Sequence, residues 1–568
     1  MRLGELTSGL DVRVRDSAEA ASLEVSCVVE DSRAAGPGAL FIARAGRKTD
    51  GRAFIADVVS RGASAVLTDA EGEKCVPRGV GCVVSKDAAR DGALMAERCA
   101  GEPTRVLHLV GVTGTNGKST VVEFVQQLMR AGGKTCGLVG TVRVDDGRVS
   151  EAAKLTTPGA PELSGLFGRM VQHGCAAAAM EVSSHALDQD RVAGLRFRAA
   201  IFTNLTGDHQ DYHGTMEAYA AAKAKLFAQL PSDGLAIVNG ADGARVKMLE
   251  GCGARVLKCF HAPPPDPLPE GGGAGTWPSK TQTTAFGPSP VTPSACHPLP
   301  AGGAREQETA RVFALEKATL EGVHARFEGP WGAIEARVPV IGEYNLANAL
   351  YAVAAAFDAG VTPERIAWGL ERLKMPAGRL ERVRRGDVHV FVDYAHTDDA
   401  LEHVLSAVRG AMAPDAKLHV VFGCGGDRDR TKRPRMGAAA ARWGDWLYVT
   451  SDNPRREQPM AIIEEVLAGV PAKQRGEAFV AADRREAIER AIAEARAGDV
   501  VVIAGKGHET YQELSDGRGG THRIVFDDRD VSGTALTRRG ARSACTSNDR
   551  SGATFSPRER EREEVEAR

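Results

Sequence analysis

His108-Leu-Val-Gly-Val-Thr-Gly-Thr-Asn-Gly-Lys-Ser-Thr-Val121 is the stretch on which the fold of this chain turns. The apolar run of Val106, Leu107, Leu109 and Val110 predicts a buried strand, and the spacing from Val121 to Met129 predicts a helix. Between them lie Gly114, Thr115, Asn116, Gly117, Lys118, Ser119 and Thr120. Glycines let the backbone curl until its N–H groups, and the positive end of the next helix, face an anion. Lys118 adds a point charge for the outer phosphates, and a hydroxyl from Ser119 or Thr120 can hold Mg²⁺. The strict nucleotide-binding pattern asks for glycine where this chain has Val112. The order strand, glycine loop, Lys, Ser/Thr, helix is still the one phosphate binding requires, and it predicts an ATP site.

At 568 residues the chain exceeds one hydrophobic core, so two to four domains are expected. Its net charge of -2 provides no global basic field for nucleic acid or anionic lipid. The 11 cysteines include no close Cys-x-x-Cys pair, which argues against a disulfide framework or structural zinc. The start of the chain lacks the apolar core of a signal peptide, and no run of about 18 apolar residues follows. A cytoplasmic protein without membrane insertion is expected.

Residues 1–103 alternate short strands with helices and predict a small α/β domain. Asp31-Ser32-Arg33 at the first strand end reads either as an anion site or as a turn. A central domain spans 104–376. There Glu181 ends an apolar run, as a Mg²⁺ ligand at the carboxyl end of a strand would. Asp208, His209, Asp211 and His213 are ligand-type residues that a solvated loop could equally carry. Lys223 and Lys225 stand two apart on a helix, hence on different faces, and either could be solubility charge. The Pro/Gly/Ser-rich stretch at about 262–308 predicts a disordered insertion within this domain. Asn345 and Asn348 share one helix face.

A third domain, 377–535, reads as a doubly wound parallel sheet. Its strands end in Asp393-Tyr-Ala-His396, Gly423-Cys-Gly-Gly-Asp-Arg428, Ser451-Asp-Asn-Pro-Arg455 and Gly505-Lys-Gly-His-Glu509, on the ligand side of such sheets. Residues 536–568 lack apolar periodicity and predict a disordered or frayed-helical tail.

The segments GTNGKST, EVSSHAL, TNLTGDHQDYHG, AKAKLF, DYAHT, GCGGDRDRTKRP, SDNPR and GKGHE, in this order, resemble the ATP-dependent muramyl ligases of peptidoglycan synthesis over roughly residues 20–531. The resemblance implies an α/β architecture of three domains: a small UDP-binding domain, a P-loop-type ATPase domain with a mostly parallel sheet, and a C-terminal Rossmann-like domain. Gly114 to Thr120 would hold ATP, with Lys118 catalytic on the phosphates and Asn345, Arg379, Asp393 and His396 as ATP-side residues near the second domain junction. Ser119, Glu181 and His209 would bind Mg²⁺. Lys223 matches the lysine that becomes a carbamate by adding CO₂, which turns a cation into a two-oxygen anion fit for a second Mg²⁺. Ser32, Thr156, Thr157, Ser183, Gln189 and Arg191 match contacts to the nucleotide substrate, UDP-MurNAc-L-Ala-D-Glu.

Family members that use meso-diaminopimelate carry D-N-P-R, and those using L-lysine usually lack the arginine. Asp452-Asn453-Pro454-Arg455 is intact here, and an arginine can grip the extra carboxylate bidentately. Arg428, Gly505 and Glu509 match the remaining contacts to this amino acid. The expectation is a monomeric ligase that activates the D-glutamyl γ-carboxylate as an acyl phosphate and transfers it to meso-diaminopimelate. L-Lysine or L-ornithine as acceptor, a folylpolyglutamate-synthetase-like ligase, and a non-catalytic nucleotide-binding relative are the alternatives. Asp398 replaces the family's usual proline after DYAHT, with little expected effect.

Overall fold

Strands that are apolar on both faces need cover on both, and this dictates helices above and below a parallel sheet. The computed structural model describes residues 1–550 except 47, 48, 208, 209, 262–307, 384 and 385. Its first sheet has five strands in the order Val12–Val14, Gly81–Ser85, Ala65–Thr68, Ala39–Ala43, Cys27–Val29. All neighbours are parallel except the edge strand Val12–Val14.

The central sheet has eleven strands. Seven run parallel in the order Glu308–Ala314, Arg255–His261, Leu235–Asn239, Ala199–Phe202, His108–Thr113, Ala177–Glu181, Cys136–Val139. Antiparallel ribbons extend both edges. His108–Thr113 is central, so the phosphate loop opens at the middle of the carboxyl edge. The insertion expected at about 262–308 falls, but for Glu308, outside the described residues, and the strands flanking it are parallel neighbours.

The third sheet orders Glu381–Arg382, His389–Asp393, Val500–Ala504, Leu418–Phe422, Trp446–Thr450 and Phe479–Ala481. All pairings but the first are parallel, which brings the four polar strand ends to one side. A separate hairpin, Tyr511–Ser515 with Thr521–Val525, follows the last of them. The three large sheets are mostly parallel and lie in α/β layers, as expected from the sequence.

The reading of a tail from Leu536 needs correction in its first part. The helix Asp528–Arg550 continues through that point, and Ala535 and Leu536 are buried against the third domain's core. Three buried apolar residues near its start, Val531, Ala535 and Leu536, anchor the helix before a polar run that carries no periodic signal. Residues 551–568 lie outside the described residues.

Buried charge fixes how the pieces sit. Glu97 is 4% exposed and accepts hydrogen bonds from Thr104 N (2.9 Å), Thr104 Oγ1 (2.6 Å) and Ser164 Oγ (2.8 Å), docking the first domain's last helix on the second domain. Burial pushes its carboxyl above the usual range. Arg484 and Asp528 form an ion pair at 2.7 Å with both side chains fully buried. Arg484 also donates to Ser451 O (3.3 Å) and Ala504 O (2.9 Å), at the ends of the two strands that flank Leu418–Phe422. Removing one partner strands the other charge in the core. Arg484→Met is therefore expected to destabilise the third domain by about 3 kcal/mol, read as a lowered unfolding midpoint for that domain in denaturant. An unchanged midpoint would contradict this role.

Candidate active site

The phosphate loop takes its shape from two glycines with left-handed φ, Gly114 (+147°) and Gly117 (+86°). A Cβ at Gly114 would stand 1.9 Å from Thr203 Oγ1, so no other residue fits. Val112 is fully buried within the strand, paired with Ile201 and Glu181. The missing motif glycine thus falls before the loop begins, where no turn is needed. The end of the neighbouring strand grips the loop: Thr115 N donates to Asn204 O (2.9 Å), Asn116 N to Asn204 Oδ1 (2.9 Å), and Thr203 Oγ1 to Asn116 O (2.6 Å). Thr203 and Asn204 belong to a segment quoted above, but their role as the loop's clamp was not legible without the sheet order. The first turn of the helix Lys118–Ala131 then presents backbone N–H groups that have no intrahelical acceptor.

Two lysines meet at this loop. Lys118 Nζ donates to Gly114 O (3.0 Å) and Thr115 O (2.9 Å), and Lys223 Nζ donates to the same Gly114 O (2.8 Å). Lys223 is 1% exposed and lies over the Tyr219 ring at 4.4 Å. Lys225, by contrast, keeps 44% of its side chain exposed and reaches Asp190 at 3.8 Å. The structure therefore separates the two residues that spacing left equivalent.

Glu181 is 1% exposed at its strand end and accepts from Thr141 N (2.7 Å) and Thr141 Oγ1 (3.1 Å). Thr141 Oγ1 also stands 3.0 Å from Thr156 Oγ1, from which it can accept. Thr157 Oγ1 donates to Glu181 O (2.9 Å), Ser183 N to Thr157 Oγ1 (3.1 Å), and Arg191 Nη1 to Thr157 O (2.8 Å). Gln189 Oε1 accepts from Arg191. Thr156, Thr157, Glu181, Ser183, Gln189 and Arg191 thus form one connected network. Gln189 and Arg191 line a crevice with Glu30 and Arg44 of the first domain. Ser32 sits in a 3-10 turn after the strand Cys27–Val29, where Arg33 folds back on Asp31 (2.6 Å). That ion pair, on an exposed turn, is the local role of Arg33, and it holds the Asp31 carboxyl at about 2.

The hydroxyl of Ser119 and the carboxylate of Glu181 are oxygen donors at the carboxyl edge of one sheet, a donor set suited to a hard divalent cation. His209 and Asp208 lie outside the described residues. Among the described residues no group of three or more His, Cys, Asp or Glu side chains stands ready for a metal, and no helix is long and apolar enough to cross a membrane.

Asn345 (1% exposed) and Asn348 do share a face: Asn348 Nδ2 donates to Asn345 Oδ1 (3.2 Å), and a Cβ at Gly117 would stand 2.8 Å from Asn348 Oδ1. Arg379 stacks over Tyr394 at 4.9 Å. Asp393 accepts from Leu380 N and Ala395 N (both 2.7 Å), while burial raises its carboxyl above the usual range. His396 Nδ1 meets Tyr394 O at 2.9 Å. His508 packs on Tyr394, and burial, with Arg379 nearby, lowers its imidazole to about 4. A histidine depressed in the folded state leaves stability intact above its unfolded value near 6.5 and erodes it between there and 4, by about 1 kcal/mol per pH unit. His508→Gln should flatten the loss of thermal stability between pH 6.5 and 4; an unaltered pH profile would exclude this histidine as a cause.

In the third domain Asp452 and Asn453 are buried and Gly505 has φ +117°, a Cβ there falling 2.5 Å from Asp452 Oδ2. Pro454 is buried with its carbonyl packed on Gly426. Glu509 Oε2 accepts from Asn453 Nδ2 (2.9 Å). Arg455 Nη1 donates to Gly426 O (2.7 Å). Gly425 lies between two arginines: a Cβ there would stand 3.0 Å from Arg455 Nη1 and 3.7 Å from Arg428 Cγ. Arg428 itself is exposed.

Three family descriptions match in chain order: Mur ligase family, catalytic domain, over residues 24–106; Mur ligase middle domain over 112–259; and Mur ligase, glutamate ligase domain, over 378–507. The chain belongs to the Mur ligase family, ATP-dependent, ADP-forming enzymes that make amide bonds. It is 40% identical over 546 residues to the UDP-N-acetylmuramoyl-L-alanyl-D-glutamate–2,6-diaminopimelate ligase of Gloeobacter violaceus, covering 95% of this chain and 99% of that one. The ligase of the same name from Geobacillus kaustophilus is 40% identical over 511 residues, with 90% and 94% covered. A solved structure described by that name superposes with a TM-score of 0.64 at 28% identity, covering 95% of this chain and 99% of its own. Folylpolyglutamate synthase from Mycobacterium tuberculosis shares the fold, with a TM-score of 0.53 at 18% identity over 72% of this chain and 90% of its own.

Proposed function

We propose that this protein uses ATP to join meso-2,6-diaminopimelate to the D-glutamyl γ-carboxylate of UDP-MurNAc-L-Ala-D-Glu, as a monomer in the cytoplasm, for peptidoglycan synthesis. The observation that carries the reading is Arg455 and Glu509 at the polar strand ends of the third domain, with Asn453 bonded to Glu509 and both Asn453 and Arg455 bonded to Glu513. An arginine for a carboxylate beside a glutamate for an ammonium suits the second head group of a diamino diacid.

A carboxylate is a poor acyl donor, so it is first phosphorylated. The γ-carboxylate oxygen attacks the γ-phosphorus, the bond to the β-phosphate oxygen breaks, and ADP leaves. The free amine of diaminopimelate then attacks the acyl carbon, loses a proton, and expels phosphate. Lys118 and the loop N–H groups of 114–120 hold the phosphates and offset the charge spread over the transferring group. Asn345 and Arg379 act on the ATP side. Ser32, Thr156, Thr157, Ser183, Gln189 and Arg191 hold the nucleotide-peptide, with the connected network orienting its carboxylate toward the loop. Lys223 Nζ gives up one proton to become a free amine, forms an N–C bond to CO₂ and gives up a second proton, so that one of two cations converging on Gly114 O becomes an anion. Mg²⁺ held by Ser119, Glu181, His209 and carbamylated Lys223 would supply further charge neutralisation at the phosphates.

The test is phosphate release from ATP with UDP-MurNAc-L-Ala-D-Glu and meso-diaminopimelate, L-lysine or L-ornithine. Release that requires diaminopimelate, with a product of the expected mass, is the expected result. Preference for lysine or ornithine would keep the ligase and overturn the amino acid. No release with any of them would point to the folate-type or non-catalytic alternatives.

A further inference from the structure

The strand-end cluster of Arg455, Asn453 and Glu509 includes two further charges that belong to no contact assigned above. Lys506 is fully buried, and its Nζ donates to Glu509 Oε2 (3.0 Å) and Asn453 Oδ1 (3.2 Å). Glu513, from the hairpin, accepts from Arg455 Nε (3.1 Å), while its backbone takes Arg455 N (3.0 Å) and gives its own N–H to Asn453 Oδ1 (2.9 Å). The two residues argued to bind the charges of the substrate's head group are thus each already matched by an opposite charge, Glu509 by Lys506 and Arg455 by Glu513. Asn453 sits at the centre of both pairs. The backbone bond to Glu513 also holds Arg455 in a left-handed conformation (φ +52°), which a non-glycine residue adopts only when its surroundings impose it.

We infer that Lys506 and Glu513 are specificity-determining residues that make this cluster electrically balanced for a head group carrying both an ammonium and a carboxylate. The inference rests on the diaminopimelate reading above and extends it. A zwitterionic head group adds no net charge to two existing ion pairs, and each of its ends finds an opposite partner. A lone ammonium, as at the end of L-lysine, brings an unmatched cation into a desolvated site and leaves the Arg455 edge without an acceptor, the kind of mismatch on which discrimination depends. Glu513 takes Arg455 Nε and Gly426 O takes one Nη1 hydrogen, so the incoming carboxylate would be gripped by the remaining Nη hydrogens of the guanidinium.

The two residues predict effects of opposite sign. In the full chain, Lys506→Met leaves Glu509 unbalanced and should lower the ratio of kcat/KM for meso-diaminopimelate to that for L-lysine by about tenfold or more. Glu513→Gln keeps the shape and an acceptor for Arg455 but removes a negative charge, and should raise that ratio by about threefold. KM for ATP should stay within about twofold in both, because neither side chain faces the phosphate loop. Opposite shifts with constant KM for ATP support the inference; ratios unchanged in both, shifts of the same sign, or equal losses toward ATP and amino acid overturn it. Should the buried Lys506 variant fail to fold, the surface Glu513→Gln variant decides alone by the sign of its shift. A failure of the unsubstituted enzyme to use diaminopimelate would overturn the underlying reading, and is distinguished from the failure of the inference because it needs no variant.

Discussion

Lys223→Ala is expected to lower ATP-dependent ligation by about 10²–10³-fold, the scale of losing one preorganised charged group at a transferring centre. The reason lies in the meeting of Lys118 and Lys223 on one carbonyl oxygen. A residue 1% exposed on an otherwise apolar helix face is costly to keep charged, and solubility cannot explain it. If its task is to accept CO₂, the unsubstituted enzyme should lose activity in CO₂-stripped buffer and regain it on adding bicarbonate, whereas the alanine variant should respond to neither. Full activity of Lys223→Ala at ambient CO₂ would remove the carbamate from the mechanism. Lys225→Ala serves as the comparison, since that side chain reaches solvent and Asp190.

Arg455→Ala should raise KM for meso-diaminopimelate by about 30-fold or more, from the 2–5 kcal/mol that truncating one partner of a hydrogen-bonded charge pair costs. Its effect on KM for ATP should be within about twofold. Part of the loss comes from Glu513, left in the cluster without its guanidinium. Double substitution of Arg455 and Glu513 should therefore be less damaging than the sum of the single ones, because the stranded carboxylate goes too. Equal rises in both Michaelis constants would contradict a role confined to the amino acid.

The phosphate loop was legible because strand, glycines, lysine and helix are contiguous, and local backbone geometry depends on neighbours in sequence. For the same reason the four polar strand ends of the third domain could be read from alternating strands and helices: parallel strands place like ends together. The pairing of Asn345 with Asn348 followed from helical spacing alone. The helical alternative for the start of the tail holds, and where the last helix leaves the core was not legible because its buried Val531, Ala535 and Leu536 pass into a polar run without periodicity.

By itself the sequence determined the three α/β layers, the phosphate loop and the family, since these rest on local periodicity and on motifs whose residues are consecutive. Only the tertiary structure decided which of Lys223 and Lys225 is buried at Gly114, that Thr203 and Asn204 hold the loop, and that Arg484 ties together two strand ends. It also brought Glu513 to Arg455 and Lys506 to Asn453. These contacts join segments whose adjacency depends on the order of strands in a sheet, and neither spacing nor hydropathy encodes that order. It arises from burying all the apolar faces at once.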